Sequence, residues 1–297
     1  MTVVAVVGTG RMGSAMARAL VRGGAELVTH NRSLGRAHEL AAELGARVAA
    51  TPAAAAAESD VAITMLADGD AVRAIWDGPT GLVAGAHDGG VLVDMSTVAP
   101  DTLAPFAGRA AERGAGLLDA PVSGSTTLAE SGQLTIMAGG SAEDLERALP
   151  ALNLVARQVT HVGPLGSGAA LKLAVNALIF ALNNGVSEAL VLAERAGIDR
   201  ALAYEVFATS AAGAPFVGYK RDAFVDPDAT EVAFSLDLAA KDLRLIIELA
   251  DRLGVSMEQA RANQALVGEA SAHLGPDRDF SAVADHLRHM AKEGATT

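Results

Sequence analysis

The sequence predicts a doubly wound α/β domain over residues 1–163 and an all-α domain over residues 164–297, joined by a long interdomain helix. Three observations predict this. Apolar strands alternate with helical segments from Val3 to Val162, the pattern of a mostly parallel sheet. A glycine-rich loop stands directly between the first strand and the first helix. Beyond Gly163-Pro164 no strand pattern returns, and apolar residues recur at helical spacing.

Val3 to Val7 is an apolar, valine-rich run that reads as a strand buried on both faces. Gly8, Gly10 and Gly13 follow at G-x-G-x-x-G spacing, with Thr9, Arg11 and Met12 between them. Gly8 permits the tight turn, Gly10 leaves the backbone open to a pyrophosphate, and Gly13 lets the next helix pack closely. That helix, from about Arg11 to Arg22, turns its N-terminal N–H groups and positive dipole end toward the loop. Strand, loop and helix in this order make a Rossmann-type dinucleotide site; the plainer alternative is a glycine-rich turn without a ligand.

The second strand, Ala25 to His30, ends in Asn31-Arg32-Ser33. In a dinucleotide fold an acid at this exit hydrogen-bonds the ribose hydroxyls and repels a 2′-phosphate. No acid is present, Arg32 is a planar cationic fork suited to phosphate, and Ser33 adds a donor. This predicts NADP over NAD. Otherwise Arg32 is a solvated loop charge and Ser33 an N-cap.

The next helix runs from Ser33 to Leu44 and closes at Gly45, with a short strand at Arg47-Val48 and an alanine-rich helix after Thr51-Pro52. Asp60 to Leu66 reads as a buried strand whose exit, Ala67 to Asp70, lies where ligands of open α/β sheets collect. A helix over 71–76, a strand over 90–97 ending in Asp94-Met95-Ser96-Thr97, and a helix over 100–113 follow. The strand from Gly116 to Val122 leads into Ser123-Gly124-Ser125, either an ordinary turn or a carboxylate-binding concavity of N–H and hydroxyl groups. A strand over 133–138, a helix from Ser141 through Leu149 and a last strand over 159–162 complete the first domain.

From Gly166 to about Ala196 a long helix is apolar around much of its circumference and is predicted to be buried between other helices. Lys172 and Asn176 share one face of it. Either Lys172 snorkels to the surface, or it faces an interdomain cleft as a proton donor and acceptor with Asn176 beside it on the substrate. Helices are predicted over 199–210, 235–253, 257–274 and 279–292, the last capped by Ser281 or Asp279. Phe234 with Lys241-Asp242 forms a further cluster, Lys241 being a solvated residue or one that reaches a cofactor. His286 and His289 are predicted to be solvated, and no metal-ligand spacing occurs. The excess of apolar helix predicts a homodimer or higher oligomer.

Composition limits the remaining classes. Lys and Arg number 23 against 35 Asp and Glu, and the net charge of −12 disfavours nucleic acid and anionic membranes as partners. With 0 cysteines there are no disulfides, zinc thiolates or thiol nucleophiles. No basic leader precedes the first strand, and no uninterrupted apolar run reaches the roughly 20 residues of a membrane span. The expectation is a soluble cytoplasmic protein.

Over nearly its whole length the sequence resembles the β-hydroxyacid dehydrogenases, which include 3-hydroxyisobutyrate dehydrogenases and tartronate semialdehyde reductases. The motifs that carry the resemblance are Gly8-Thr9-Gly10-Arg11-Met12-Gly13, Asp94-Met95-Ser96-Thr97 and Asp119-Ala120-Pro121-Val122-Ser123-Gly124. Gly166-Ser167-Gly168 through Lys172 to Asn176, and Lys241-Asp242-Leu243, complete the set. The resemblance implies that Lys172 is the catalytic acid/base and that Ser123, Gly124 and Asn176 bind substrate. It also implies that Met65, Leu66, Thr97 and Lys241 contact the cofactor, and that copies pair through the helical region. Two positions depart from the common pattern: Ser125 replaces a second glycine, and Val175 replaces an asparagine. Imine reductases share the fold and the Asn-Arg-Ser loop but usually lack the lysine, so an imine reductase is the competing enzyme reading. A non-catalytic NADP-binding scaffold is the reading of another class, and such a scaffold needs no ionisable group at position 172.

Overall fold

The computed structural model describes residues 2–293. One compact unit ends at Lys172 and a second begins at Leu173.

The first unit contains β1 (Val3–Val7), α1 (Arg11–Arg22), β2 (Glu26–His30), α2 (Leu34–Leu44), β3 (Arg47–Val48), α3 (Pro52–Ala57), β4 (Val61–Thr64) and α4 (Gly69–Trp76). It continues through β5 (Val91–Asp94), α5 (Ala104–Ala111), β6 (Gly116–Asp119), β7 (Val122–Ser123), α6 (Thr126–Glu130), β8 (Leu134–Gly139), α7 (Ala142–Val155) and β9 (Ala156–Gly163). The sheet order is β3-β2-β1-β4-β5-β6-β8-β7, with β9 on β8. From β3 to β6 all pairs are parallel.

Side chains of successive strand residues point to opposite faces, so each strand feeds two cores. Val4, Val6, Val61, Ile63, Val91 and Val93 pack with Met16 and Leu20 on one face. Ala5, Val7, Val28, Ala62 and Leu92 pack with Trp76, Leu82 and Phe106 on the other. The register aligns the strand exits: Val7 stands beside His30 and Thr64, Thr64 beside Asp94, and Asp94 beside Asp119. One row of chain ends therefore carries the glycine loop and the polar exits.

Several elements differ from the sequence expectation. The strand after Gly116 stops at Asp119, and Val122-Ser123 forms a separate strand antiparallel to β8. Pro121 lies between the two and brings no N–H to a ladder. The helix expected to end at Leu149 continues through Pro150 to Val155, because Ala151, Leu152 and Val155 are fully buried and outweigh the local break. The last strand is eight residues long rather than four, since pairing with β8 extends it at both ends.

The second unit is helical. It takes in the long helix α8 (Ser167–Arg195), which starts in the first unit, then α9 (Arg200–Thr209), α10 (Pro215–Tyr219), α11 (Arg221–Val225), α12 (Leu236–Leu253), α13 (Glu258–Leu274) and α14 (Val283–Glu293). Its core joins Phe180, Tyr204, Phe216, Phe224, Leu243 and Phe280. Buried polar groups pair within it: Asn183 Nδ2 donates to the Phe280 carbonyl at 3.0 Å and Asn184 Nδ2 to Asn263 Oδ1 at 3.0 Å. Lys220 Nζ donates to both oxygens of Asp279 at 2.6 and 2.7 Å.

α8 was expected to be buried between helices, but only one stripe of it is. Leu178 and Leu192 are 68% and 73% exposed in the single chain. By length and composition α8 could also cross a membrane, although its apolar run is interrupted by the buried, hydrogen-bonded Asn176, Asn183 and Asn184. His286 is buried rather than solvated, its Nδ1 3.2 Å from His273 Nδ1, whereas His289 is exposed.

Candidate active site

The glycine loop is shaped by two steric demands and one opening. Gly8 has φ +105°, and a Cβ there would overlap the Met65 carbonyl oxygen. A Cβ on Gly13 would overlap the Gly8 carbonyl oxygen, so α1 seats directly on the loop. At Gly10 an added Cβ would meet nothing within 4 Å. That residue thus presents bare backbone to open space, as close approach of a diphosphate requires.

Gly10 is also the N-cap of α1 and supplies no side-chain cap, leaving first-turn N–H groups for an anion. Thr9 Oγ1 is buried without a hydrogen-bond partner among the described residues. The loop is braced from β2: Gly8 N donates to the His30 carbonyl at 2.9 Å and Thr9 N to Asn31 Oδ1 at 3.2 Å. An orphaned hydroxyl, an uncapped helix start and an open glycine face together fit a nucleotide diphosphate.

Past β2 the surface is basic. Arg32 is exposed, and Ser33 stands at the N-cap of α2 without using its hydroxyl as a cap. Arg36, one turn beyond Arg32, is exposed as well; its i, i+4 spacing from Arg32 was the unused sequence signal. Among the described residues Arg11, Arg32 and Arg36 form no ion pair, although Arg18, Arg22 and Arg47 of the same unit do.

The exits of β4 and β5 share one buried network. Thr64 Oγ1 and Ser96 Oγ both donate to Asp94 Oδ1, at 2.6 and 2.7 Å. Ser96 Oγ in turn accepts from Leu66 N at 2.9 Å, which fixes the Met65-Leu66 exit. Trp76 Nε1 donates to Thr64 Oγ1 at 3.2 Å. Asp94 is 1% exposed, and burial pushes its carboxyl up to about 6. Its Oδ2 has no hydrogen-bond partner among the described residues. Thr97 follows, half-buried.

Asp119 ends β6 and is buried. Its Oδ1 accepts from Gly166 N and its Oδ2 from Ala169 N, both at 2.7 Å, so the carboxylate caps α8. Burial raises the carboxyl above the usual range, although these backbone donors pull the other way. Lys172 is half-buried one turn further along α8. Ser123 is half-buried on β7, and Gly124 has φ +144° with Leu134 against it. Ser125 Oγ accepts from Leu128 N at 3.2 Å and caps α6, which gives this residue a structural reason to replace glycine.

In the second unit, Asn176 Nδ2 donates to Asp242 Oδ2 at 2.7 Å, and both residues are buried. Lys241 Nζ lies 2.9 Å from Asp242 Oδ1, with its side chain only 14% exposed. The reading of Lys241 as a solvated residue therefore fails. Asp242 aligns Asn176 and Lys241, a role that the sequence reading did not assign. Phe234 packs against Phe280 at 5.5 Å between ring centres.

An open glycine loop at the head of a doubly wound sheet defines a nucleotide-binding protein. The family model for the NAD-binding domain of 6-phosphogluconate dehydrogenase matches residues 3–163. The model for the NAD-binding domain of NADP-dependent 3-hydroxyisobutyrate dehydrogenase matches residues 166–287. The chain is 32% identical to 3-sulfolactaldehyde reductase of Escherichia coli over 98% of its own length and 97% of that protein. A crystal structure of 3-hydroxyisobutyrate dehydrogenase from Salmonella typhimurium superposes with a TM-score of 0.87 at 27% identity, covering 96% of this chain and 99% of that one. An imine reductase of Streptomyces aurantiacus superposes less well, with a TM-score of 0.62 at 26% identity over 96% of this chain and 99% of that one. The chain belongs to the β-hydroxyacid dehydrogenase family. It is an NAD(P)-dependent enzyme of the kind that interconverts hydroxyacids and semialdehydes.

Proposed function

We propose that this enzyme uses NADP and interconverts a small β-hydroxyacid and its semialdehyde, with Lys172 as the acid and base. The observation that carries the cofactor choice is the β2 exit, which has no acid and where Arg32 and Arg36, with Arg11 at the start of α1, form no ion pair among the described residues. Guanidinium forks suit a 2′-phosphate, and a carboxylate at this exit would repel it. The NADP-dependent description of the model matched by residues 166–287 supports the same choice.

Gly8, Thr9, Gly10, Arg11, Met12 and Gly13 hold the diphosphate, and Asn31, Arg32 and Ser33 the adenosine end. Met65, Leu66, Thr97 and Lys241 hold the nicotinamide end. Held there, the nicotinamide would supply the hydride chemistry at the substrate carbon. Ser123 and Gly124 hold the substrate carboxylate and so set which carbon faces the cofactor. Asn176, aligned by Asp242, holds the substrate oxygen. In reduction, the Lys172 ammonium stabilises the negative charge that develops on the carbonyl oxygen and gives that oxygen a proton; in oxidation the neutral amine takes it back.

The same reading includes a homodimer or higher oligomer and a cytoplasmic location. The exposed Leu178 and Leu192 on α8, with Leu202 and Val206 on α9, support pairing through the helical unit. A single mass of one chain by light scattering at micromolar concentration would refute it.

The test is NADPH oxidation with a panel of carbonyl acids and cyclic imines. Turnover of a small semialdehyde acid is expected. Turnover of imines alone would make the protein an imine reductase, the reading that the Streptomyces aurantiacus neighbour would then favour. Lys172→Ala is expected to lower kcat by at least ~10²-fold with NADPH affinity kept, and Lys172→Arg to fail as well, since arginine is too basic to act as a base. Near-normal turnover in Lys172→Ala would remove the lysine from the chemistry.

A further inference from the structure

The strand exit at Asp119 and the start of α8 meet backbone to backbone. A Cβ on Gly168 would overlap the Met137 carbonyl oxygen and come 2.7 Å from the Asp119 carbonyl oxygen. A Cβ on Gly139 would overlap Asp119 Oδ1. Gly166 has φ +92°, with the Pro100 carbonyl oxygen against its Cβ position. Such contact leaves the first turn of α8 no room to slide over the sheet, and the two carboxylate bonds fix its rotation. Both bonds are short and charge-assisted, and the carboxylate also lies at the favourable end of the helix dipole.

The same residue opens the segment that reaches Ser123 four positions later. Asp119 thus touches the element carrying the proposed acid and base and begins the element carrying the proposed carboxylate site. Folding alone does not require this arrangement. A serine or threonine N-cap would satisfy one N–H of α8, as Ser141 does for α7 by accepting from Asp144 N at 3.0 Å. Asp119 instead accepts two bonds across 47 and 50 residues of chain.

We infer that Asp119 is a positioning residue: its carboxylate sets the place of Lys172 relative to Ser123 by holding the first turn of α8 on the exit of β6. This rests on the proposed role of Lys172. Replacing one oxygen by an amide keeps the volume but turns an N–H₂ toward a backbone N–H, so one cap bond is lost and its donor is repelled.

The experiment compares Asp119→Asn, Gly168→Ala, Lys172→Ala and the double variant Asp119→Asn/Lys172→Ala, in the full-length protein. The readouts are thermal melting, NADPH titration, kcat and KM for the best semialdehyde substrate. Asp119→Asn is expected to lower kcat by about 10- to 100-fold while NADPH affinity stays within about twofold, the size of effect that misplacing a reacting group produces. Gly168→Ala, which keeps the carboxylate but presses a Cβ against the Met137 carbonyl oxygen and to 2.9 Å from Asp119 Oδ2, displaces the same turn and is expected to show the same split between kcat and cofactor affinity. In the Lys172→Ala background, Asp119→Asn is expected to lower kcat no further. A purely structural role would instead lower the melting temperature and the fraction of active enzyme, with kcat per NADPH-binding site unchanged.

Wild-type kcat in Asp119→Asn, or an undiminished further loss in the double variant, overturns the assignment. So does the absence of a cooperative melt in both Asp119→Asn and Gly168→Ala, because the carboxylate would then hold the fold rather than place one side chain. Full activity of Lys172→Ala together with a damaged Asp119→Asn refutes the lysine reading instead and is told apart by that single variant.

Discussion

The sheet unit and the helical unit each leave some buried polar atoms without a hydrogen-bond partner among the described residues, but they hold their buried carboxylates differently. Two buried carboxylates show the contrast. Asp279 of the helical unit takes two bonds from Lys220 and further bonds from the N–H groups of Ala233, Phe234 and Ser281. Asp94 of the sheet unit takes two hydroxyl bonds on one oxygen and none on the other. The first carboxyl is held below the usual range despite burial, and the second is pushed up to about 6. One is part of a finished framework. The other keeps one buried oxygen without a hydrogen-bond partner among the described residues.

Breaking the finished pair should have the largest effect. Lys220→Met leaves Asp279 charged and buried without its cation, and a loss of about 3–5 kcal/mol in stability is expected from urea unfolding. A loss below about 1 kcal/mol would mean that the three backbone donors suffice, and the contrast between the two carboxylates would narrow.

Neutralising the unfinished one should act in the opposite direction. The Asp94 carboxyl titrates higher in the folded protein than its ordinary 3.8, so the folded state binds the extra proton and ionisation at neutral pH opposes folding. That penalty is present above about pH 6 and fades as pH falls toward about 4. Asp94→Asn is therefore expected to gain about 1–3 kcal/mol on the wild type at pH 7, and to lose this advantage near pH 4. A mutant advantage that grows on acidification would refute the sign.

The smallest effect probes the open surface. Arg32→Asp is expected to weaken NADPH binding by about tenfold or more, roughly the 1–2 kcal/mol of one charged contact, and to spare NADH. A wild-type enzyme that prefers NADH would remove the basis for this prediction.

What the sequence made legible follows the same division. The helix expected from Arg11 to Arg22 has these bounds, because strand, glycine loop and helix start are fixed by sterics within a few residues. The helical unit gave its long helices through apolar period, but α10 and α11 were missed because five-residue helices hold too little pattern. The five-residue α6 holds too little pattern as well, and the sequence offers Ser125 as part of a turn or anion-binding concavity and as a replaced glycine rather than as the cap of a helix. Asp242 was visible as a residue but not as the partner of Asn176, 66 positions away. Contacts of that range are set by packing and leave no local trace.

Trp76 is the only tryptophan of the chain and is fully buried, with its indole N–H on Thr64. Its emission is therefore a private optical probe of the sheet unit, while far-ultraviolet circular dichroism is dominated by helices of both units. Denaturation followed by the two signals reports separately on each half of the molecule: coincident curves mean that the halves melt as one, and separated curves rank them.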